Sequence, residues 1–199
     1  MSGLARSFYE RDPLLVAPAL LGRTLVHESP DGVVAGRIVE VEAYCGFRDP
    51  ASHAYRGETR RNAVMFGPGG YLYVYFTYGM HYCANAVCET PGHPGAVLLR
   101  AVEPVAGQQL MAARRGVSAP RLLARGPARL AQAFGLDLSH NGVDLVSGAV
   151  RIEGEARLAG PVATSPRVGI SRAAEEPWRY YEVGPWASPP GRSRVAGRG

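Results

Sequence analysis

The sequence predicts an α+β fold, a single mixed domain in which strands pair mostly as hairpins and helices lie to one side. Three observations carry this. Apolar residues recur with a period of two in several short runs, and turn residues separate those runs. Two segments in the second half read as helices closed by glycine. The 199 residues, 46% of them hydrophobic, show no internal repeat and no linker, so one sizeable core is expected.

Asp12-Pro13 reads as an N-cap followed by proline at the first helical position. The helix it opens runs to Leu20-Leu21 and ends at Gly22. Pro18 inside it predicts a kink or a late start. Residues 24–28 and 33–44 flank the turn Pro30-Asp31-Gly32 and form a hairpin. The polar, Gly- and Arg-rich stretch 45–62 is long for a structureless connection, which itself points to function. After the breaker Gly67-Pro68-Gly69-Gly70, residues 71–76 alternate aromatic and aliphatic side chains as a buried strand would. Strand character resumes at 81–87 beyond Gly79, and again at 96–102 beyond the turn from Pro91 to Pro94. Residues 108–115 and 127–134 are helical, closed by Gly116 and Gly135. Residues 150–153 form a short strand, and 166–170 are expected to form another. The domain is expected to span 1–188, followed by a basic, disordered tail at 189–199.

Charge and composition exclude several classes. Twenty-two basic residues against 17 acids give +5 and a pI near 9.4. None of the 22 is lysine, which excludes a lysine Schiff base, a P-loop lysine and a lysine nucleophile. The excess lies in residues 101–199, with 13 arginines and eight acids. No acid falls between Glu103 and Asp137, where Arg114, Arg115, Arg121, Arg125 and Arg129 do. Such a run is either a solvated helical face or a strip that meets phosphates. Three cysteines argue against a disulfide framework and for a reducing cytoplasm. No run of about 18 apolar residues predicts a membrane span, and no apolar signal core follows the N-terminus.

Three constellations could carry chemistry. Glu40, Glu42 and Tyr44 share one face of a strand, with Val39, Val41 and Ala43 on the other. This is either a solvent-facing edge paired to arginine or a carboxylate base beside an aromatic wall. Tyr71, Tyr73, Tyr75, Phe76, Tyr78 and Tyr82 concentrate aromatic rings in a short stretch. Tyrosine needs a partner for its hydroxyl, so a purely structural core is an incomplete account, and rings of this kind stack on bases or wedge into a duplex. His81, Cys83, Cys88 and His93 are zinc-binding residue types, but their spacing is not that of a zinc ribbon or finger. Asn85 and Arg100 each interrupt an apolar strand; Arg100 could pair with Glu40 or Glu42.

The stretches Leu20-Leu21-Gly22, Arg37-Ile38-Val39-Glu40-Val41-Glu42-Ala43-Tyr44, Ser52-His53-Ala54 and Thr59-Arg60-Arg61-Asn62 lead an ordered set. It continues with residues 72–85, 97–104 and 126–130, then Pro166-Arg167-Val168-Gly169-Ile170 and Gly184-Pro185-Trp186. In this order, across nearly the whole chain, they resemble the 3-methyladenine (alkyladenine) DNA glycosylase family in its monofunctional, mammalian-type branch. The resemblance implies a curved, largely antiparallel β-sheet with flanking helices and a protruding β-hairpin. It also implies Glu42 as the general base for water attack on the sugar C1′, with Arg100 and the Val168 carbonyl holding that water. Tyr44 and Tyr75 resemble the rings that sandwich a flipped purine, with His53 at its edge. Asn85 resembles the residue that crowds the exocyclic amine of guanine, and Tyr78 the wedge that fills the duplex. Glu40 has no catalytic role in the family pattern and is expected to be structural.

The implied partner is double-stranded DNA containing damaged purines, with no metal, organic cofactor or membrane, and the expected state is a monomer. Without lysine, strand cleavage through a lysine imine to the abasic sugar is excluded. Two rivals fit parts of the sequence: a carbohydrate hydrolase using Glu40 and Glu42 as its carboxylate pair, and a non-catalytic or zinc-dependent nucleic-acid-binding module.

Overall fold

The computed structural model describes residues 3–77 and 79–188; Tyr78 and the tail 189–199 lie outside the described residues. Eight antiparallel strands form one sheet in the order β3-β4-β5-β2-β1-β6, with β8 pairing both β2 and β7. The strands are β1 (Thr24–Ser29), β2 (Gly32–Tyr44), β3 (Leu72–Thr77), β4 (His81–Cys88), β5 (Gly95–Ala106), β6 (Val150–Glu153), β7 (Val162–Ser165) and β8 (Arg179–Glu182). Helices α1 (Arg6–Tyr9), α2 (Pro13–Leu20), α3 (Gln108–Arg115), α4 (Pro120–Leu123) and α5 (Pro127–Phe134) flank it. The architecture is the expected mixed α+β domain with a curled antiparallel sheet.

Local chemistry accounts for the elements. The Asp12 carboxylate caps α2 by accepting from the Leu14 N–H at 2.9 Å. The helix starts at Pro13 and runs through Pro18 to Leu20. Gly116 and Gly135 close α3 and α5 in the left-handed region, as the glycine positions predicted. The β3–β4 hairpin protrudes, with Phe76 42% and Met80 69% exposed near its tip. The main core is lined from the helices by Val16, Leu20, Met111, Leu130 and Phe134 and from the sheet by Leu72, Val74, Val97 and Leu99. A smaller cluster on the opposite side of β3 holds Tyr73, Met65, Ala54 and Ala96. Period-two alternation on β3 therefore serves two cores at once.

The structure corrects the expected register of β2. Strict alternation puts Val39, Val41 and Ala43 on one face, yet the main core receives Ile38, Val41 and Ala43. The pairing with β5 shifts on both sides of Glu40, so Val39 is an extra residue on β2 and Arg100 one on β5. A bulge resets the alternation of its strand. These paired bulges turn Arg100 and Glu40 toward each other. Beyond them β2 exchanges its edge partner, pairing first with β1 and then with β8.

A second correction concerns 166–170, where β7 ends at Ser165 and the chain continues as a loop. Pro166 has no N–H to extend the ladder, Arg167 is drawn into a buried ion pair, and Gly169 turns the chain at φ +80. Strand β8 and the short helices α1 and α4 were not legible in the sequence.

The loop after β2 is anchored through Gly46, at φ +56, where an added Cβ would collide with the Pro94 carbonyl in the β4–β5 turn. Gly57, at φ +100 in the same loop, has open space around it. Gly46→Ala should therefore destabilise the fold by about 3 kcal/mol or more, and Gly57→Ala by about 1–2 kcal/mol from backbone strain alone, measured by urea unfolding.

Candidate active site

A cleft of about 340 Å³ opens between the face of the sheet opposite the main core, the loop after β2 and the loop after β7. Tyr44 from β2, Tyr73 and Tyr75 from β3, Cys83 and Asn85 from β4, and Leu98 and Arg100 from β5 form its floor and walls. Ser52 and His53 close one side, Val168, Gly169 and Ile170 another, and Pro127 contributes the start of α5. Every site residue expected from the sequence and described here, except Glu42, lines this cleft.

Glu42 lies directly beneath it, fully buried. Its Oε1 accepts from the Val168 N–H at 2.7 Å and faces Arg100 Nη1 at 3.2 Å. Its Oε2 accepts from the Tyr44 hydroxyl at 3.0 Å. All three neighbours line the cleft, so the carboxylate sits behind a single layer of side chains. The contact from Val168 is its N–H, whereas the resemblance assigned a role to its carbonyl. Burial raises the Glu42 pKa, and Glu40 adds to this, although Arg100, the Val168 N–H and Tyr44 oppose it. Glu40 shifts the other way. Its burial alone would raise it, but Arg100, Arg179 and Ser188 together hold it below the usual carboxylate range.

The structure overturns the solvent-edge reading of this strand, since both carboxylates are fully buried. It also weighs against the carbohydrate-hydrolase pair. Glu40 does not line the cleft and is held by Arg100 Nε at 2.7 Å, Arg179 Nε at 2.8 Å and the Ser188 N–H and hydroxyl at 2.5 and 2.7 Å.

The aromatic walls are individually braced. His53 packs edge-on against Tyr75 with centroids 4.5 Å apart, and its Nδ1 lies 2.9 Å from the Tyr73 hydroxyl. Although His53 is exposed at the cleft mouth, crowding by these rings, together with Arg61, lowers its pKa. Tyr73 is pushed up to about 12, mainly by burial, so its hydroxyl stays protonated at neutral pH. Asn62 pins the His53 loop by donating to the carbonyls of His53 and Gly57 at 2.9 and 3.1 Å. Asn85 donates to the Tyr73 carbonyl at 3.0 Å, which fixes its amide on the cleft wall. On the far side, the Arg167 guanidinium stacks 4.6 Å from the Tyr44 ring centroid and 4.9 Å from that of Trp178. Asp49 grips it in bidentate fashion at 2.5 and 2.9 Å, with both side chains fully buried.

Sequence reasoning missed Asp49, Arg167, Arg179 and Ser188. Arg167 stands within the stretch Pro166-Arg167-Val168-Gly169-Ile170, but nothing in the sequence assigned it a role. Nothing local marks Asp49 as its partner across 118 residues of chain.

The zinc constellation does not assemble. Cys88 is in the main core and Cys83 on the cleft wall, while His81 and His93 are exposed. Among the described residues no group of three or more His, Cys, Asp or Glu side chains could hold a metal ion. The arginine strip divides. Arg114 pairs with Asp31, while Arg115 and Arg125 donate to the carbonyls of Leu123 and Ala187. Arg121 and Arg129 are exposed. No helix among the described residues is long and apolar enough to cross a membrane.

A family model described as methylpurine-DNA glycosylase (MPG) matches residues 7–185. A protein of Rhodopseudomonas palustris named "Putative 3-methyladenine DNA glycosylase" is 52% identical over 178 residues, covering 89% of this chain and 86% of its own. Proteins of the same name from Chlorobaculum tepidum and Burkholderia lata are 47% and 48% identical. They cover 99% and 98% of this chain, and 98% and 91% of their own. The chain is thus an enzyme of the DNA glycosylase class, a hydrolase of N-glycosyl bonds. It belongs to the methylpurine-DNA glycosylase family.

Two stability measurements test this site. Asp49→Ala strands the Arg167 charge in the interior and should cost about 3–5 kcal/mol in urea unfolding. Glu42 binds its proton more tightly folded than unfolded, so wild-type stability should fall as pH rises from the ordinary carboxylate value through the raised one. Glu42→Gln lacks this loss and should be at least as stable as wild type at pH 7, with the advantage disappearing in acid, as read by thermal unfolding across pH.

Proposed function

We propose that the protein flips alkylated or deaminated purines, of the 3-methyladenine, 7-methylguanine and hypoxanthine class, out of duplex DNA and hydrolyses the N-glycosidic bond in base excision repair. The observation that carries this reading is the position of Glu42 directly behind Tyr44, Arg100 and Val168, beneath a cleft walled by Tyr75 and His53. A base within a duplex is out of reach of a buried carboxylate. Extrusion costs roughly a few kcal/mol, and stacking on aromatic rings returns about 1–3 kcal/mol.

In this reading Tyr44 and Tyr75 sandwich the base, and His53 meets its edge as a neutral imidazole. Asn85, its amide fixed on the cleft wall, crowds the exocyclic amine of guanine. N-alkylation makes the purine cationic, which favours stacking on electron-rich rings and makes the base a better leaving group. As the glycosidic electron pair leaves with the base, the sugar acquires oxocarbenium character. The ionised Glu42 stabilises that cation and takes a proton from the water whose oxygen bonds to C1′. The Val168 N–H and the Tyr44 hydroxyl use two of the roughly four acceptor directions of the carboxylate, which leaves room for this water beside the Arg100 guanidinium. Arg100 and the Val168 carbonyl hold it. Tyr78 fills the space left in the duplex, and exposed arginines such as Arg121 and Arg129 meet phosphates. The protein acts as a monomer in the cytoplasm and needs no metal or organic cofactor.

A panel of duplex oligonucleotides carrying alkylated, deaminated and normal purines tests the reading. Release of 3-methyladenine, 7-methylguanine or hypoxanthine with normal purines spared is expected, and release of none of them would remove it. Glu42→Gln should lower the excision rate by about 10²–10⁴-fold while binding to abasic duplex persists. Duplex affinity should fall linearly on a log–log plot against salt through counterion release; a flat response in a filter-binding titration would rule out phosphate contacts.

A further inference from the structure

Glu40 accepts four hydrogen bonds, yet it does not itself line the cleft. Its Oε1 accepts from Arg100 Nε, Arg179 Nε and the Ser188 hydroxyl, and its Oε2 from the Ser188 N–H. Arg179 returns to the same segment by donating Nη2 to the Ser188 carbonyl at 2.9 Å. The set contains two carboxylates and two guanidiniums, so it closes as a neutral buried unit with Glu42 as its fourth member.

Arg100 is shared unequally within that unit. Its Nε lies 2.7 Å from Glu40, while its Nη1 lies 3.2 Å from Glu42. The shorter contact is the anchor and the longer one faces the cleft. The bulges at Val39 and Arg100 exist at this point of the sheet alone along the β2–β5 pairing beyond Ile38, and they produce this arrangement. A structural ion pair between Glu40 and Arg179 would need neither the bulge in β5 nor the contact with Arg100.

We infer that Glu40 is a positioning residue for base excision: it holds Arg100 so that Nη1 is presented to Glu42, and through Arg179 and Ser188 it ties that geometry to the C-terminal end of the described chain. This rests on the reading of Glu42 as the base. With Glu40 neutral, Arg100 and Arg179 would face Glu42 as the single carboxylate of the unit. Arg100 would swing onto Glu42, holding it ionised to lower pH and occupying the acceptor direction the water needs. Glu42 is otherwise faced by Tyr44 on its own strand, Tyr75 from β3, Cys83 from β4, and Arg167 and the Val168 N–H from the loop after β7. Arg179 of β8 stands opposite it in register.

The test compares wild type with Glu40→Gln, Glu40→Asp, Ser188→Ala and the charge-balanced Glu40→Gln/Arg179→Met. Single-turnover excision is followed across pH, with abasic-duplex affinity and the ¹³C carboxyl titration of Glu42 measured alongside. Glu40→Gln should slow excision by about 10²-fold, the scale of a misplacement near 1 Å. Its acid limb should move to lower pH, with abasic affinity unchanged. Glu40→Asp should recover part of the rate. The double variant keeps the core neutral and should fold, yet remain slow because Arg100 has lost its anchor. Ser188→Ala, which alters no charge, should show a smaller loss in the same direction. A wild-type rate and pH profile in any folded variant lacking Glu40, or in Ser188→Ala, overturns the inference. If wild type releases none of the bases, the proposed function fails, while the Glu42 titration in Glu40→Gln still decides whether Glu40 acts on Glu42.

Discussion

The site is organised by one guanidinium held between two buried carboxylates. Arg100 reaches Glu40 with one nitrogen and Glu42 with another, and loss of Arg100 or Glu40 would strand charge in the sheet interior. Two bulges facing each other across β2 and β5 make this possible. They let a strand that feeds the main core through Ile38, Val41 and Ala43 also carry two acids on its other face. The two carboxylates share a cation but differ in state. Glu40, with four donors, is held below its ordinary range, while Glu42, with fewer and weaker contacts, is pushed above it. Environments that push paired carboxylates apart are how one sheet supplies both a fixed charge and a proton acceptor.

The aromatic walls follow the same economy of dual use. Strand β3 sends Leu72 and Val74 into the main core and Tyr73 and Tyr75 toward the cleft. Each ring that could meet a base is backed by something rigid. Tyr75 is flanked by His53, and Tyr44 by Arg167 stacked between it and Trp178. Arg167 is tolerable in that position because Asp49 neutralises it with two hydrogen bonds. The loop that brings Asp49 also brings Ser52 and His53, and Asn62 and Gly46 hold that loop in place. Its length in the sequence marked it as functional; its internal bonding shows that it is a built wall.

Much of the site was legible before any coordinates. Glu42 and Tyr44 stood out as polar residues on an apolar strand, Asn85 and Arg100 as interruptions of two others, and Tyr73 and Tyr75 as a dense aromatic run. What could not be read was which partner each had chosen. Arg100 was open to Glu40 or Glu42 and takes both. The arginine strip was open to solvent or phosphate, and three of its five members turn out to bond within the protein.

The sequence by itself determined the types of the longer elements, their pairing as hairpins and the residue chemistry, because these depend on period, turn residues and side-chain identity within a few positions. It also excluded lysine chemistry outright, since composition needs no structure. Tertiary structure alone decided the phase reversal at Val39, the loop at 166–170, the strand β8, and the pairs Asp49–Arg167 and Glu40–Arg179. Each of these rests on a contact between segments 60 or more residues apart. A buried charge takes whichever opposite charge the fold brings within reach, and no local pattern in the chain records that choice.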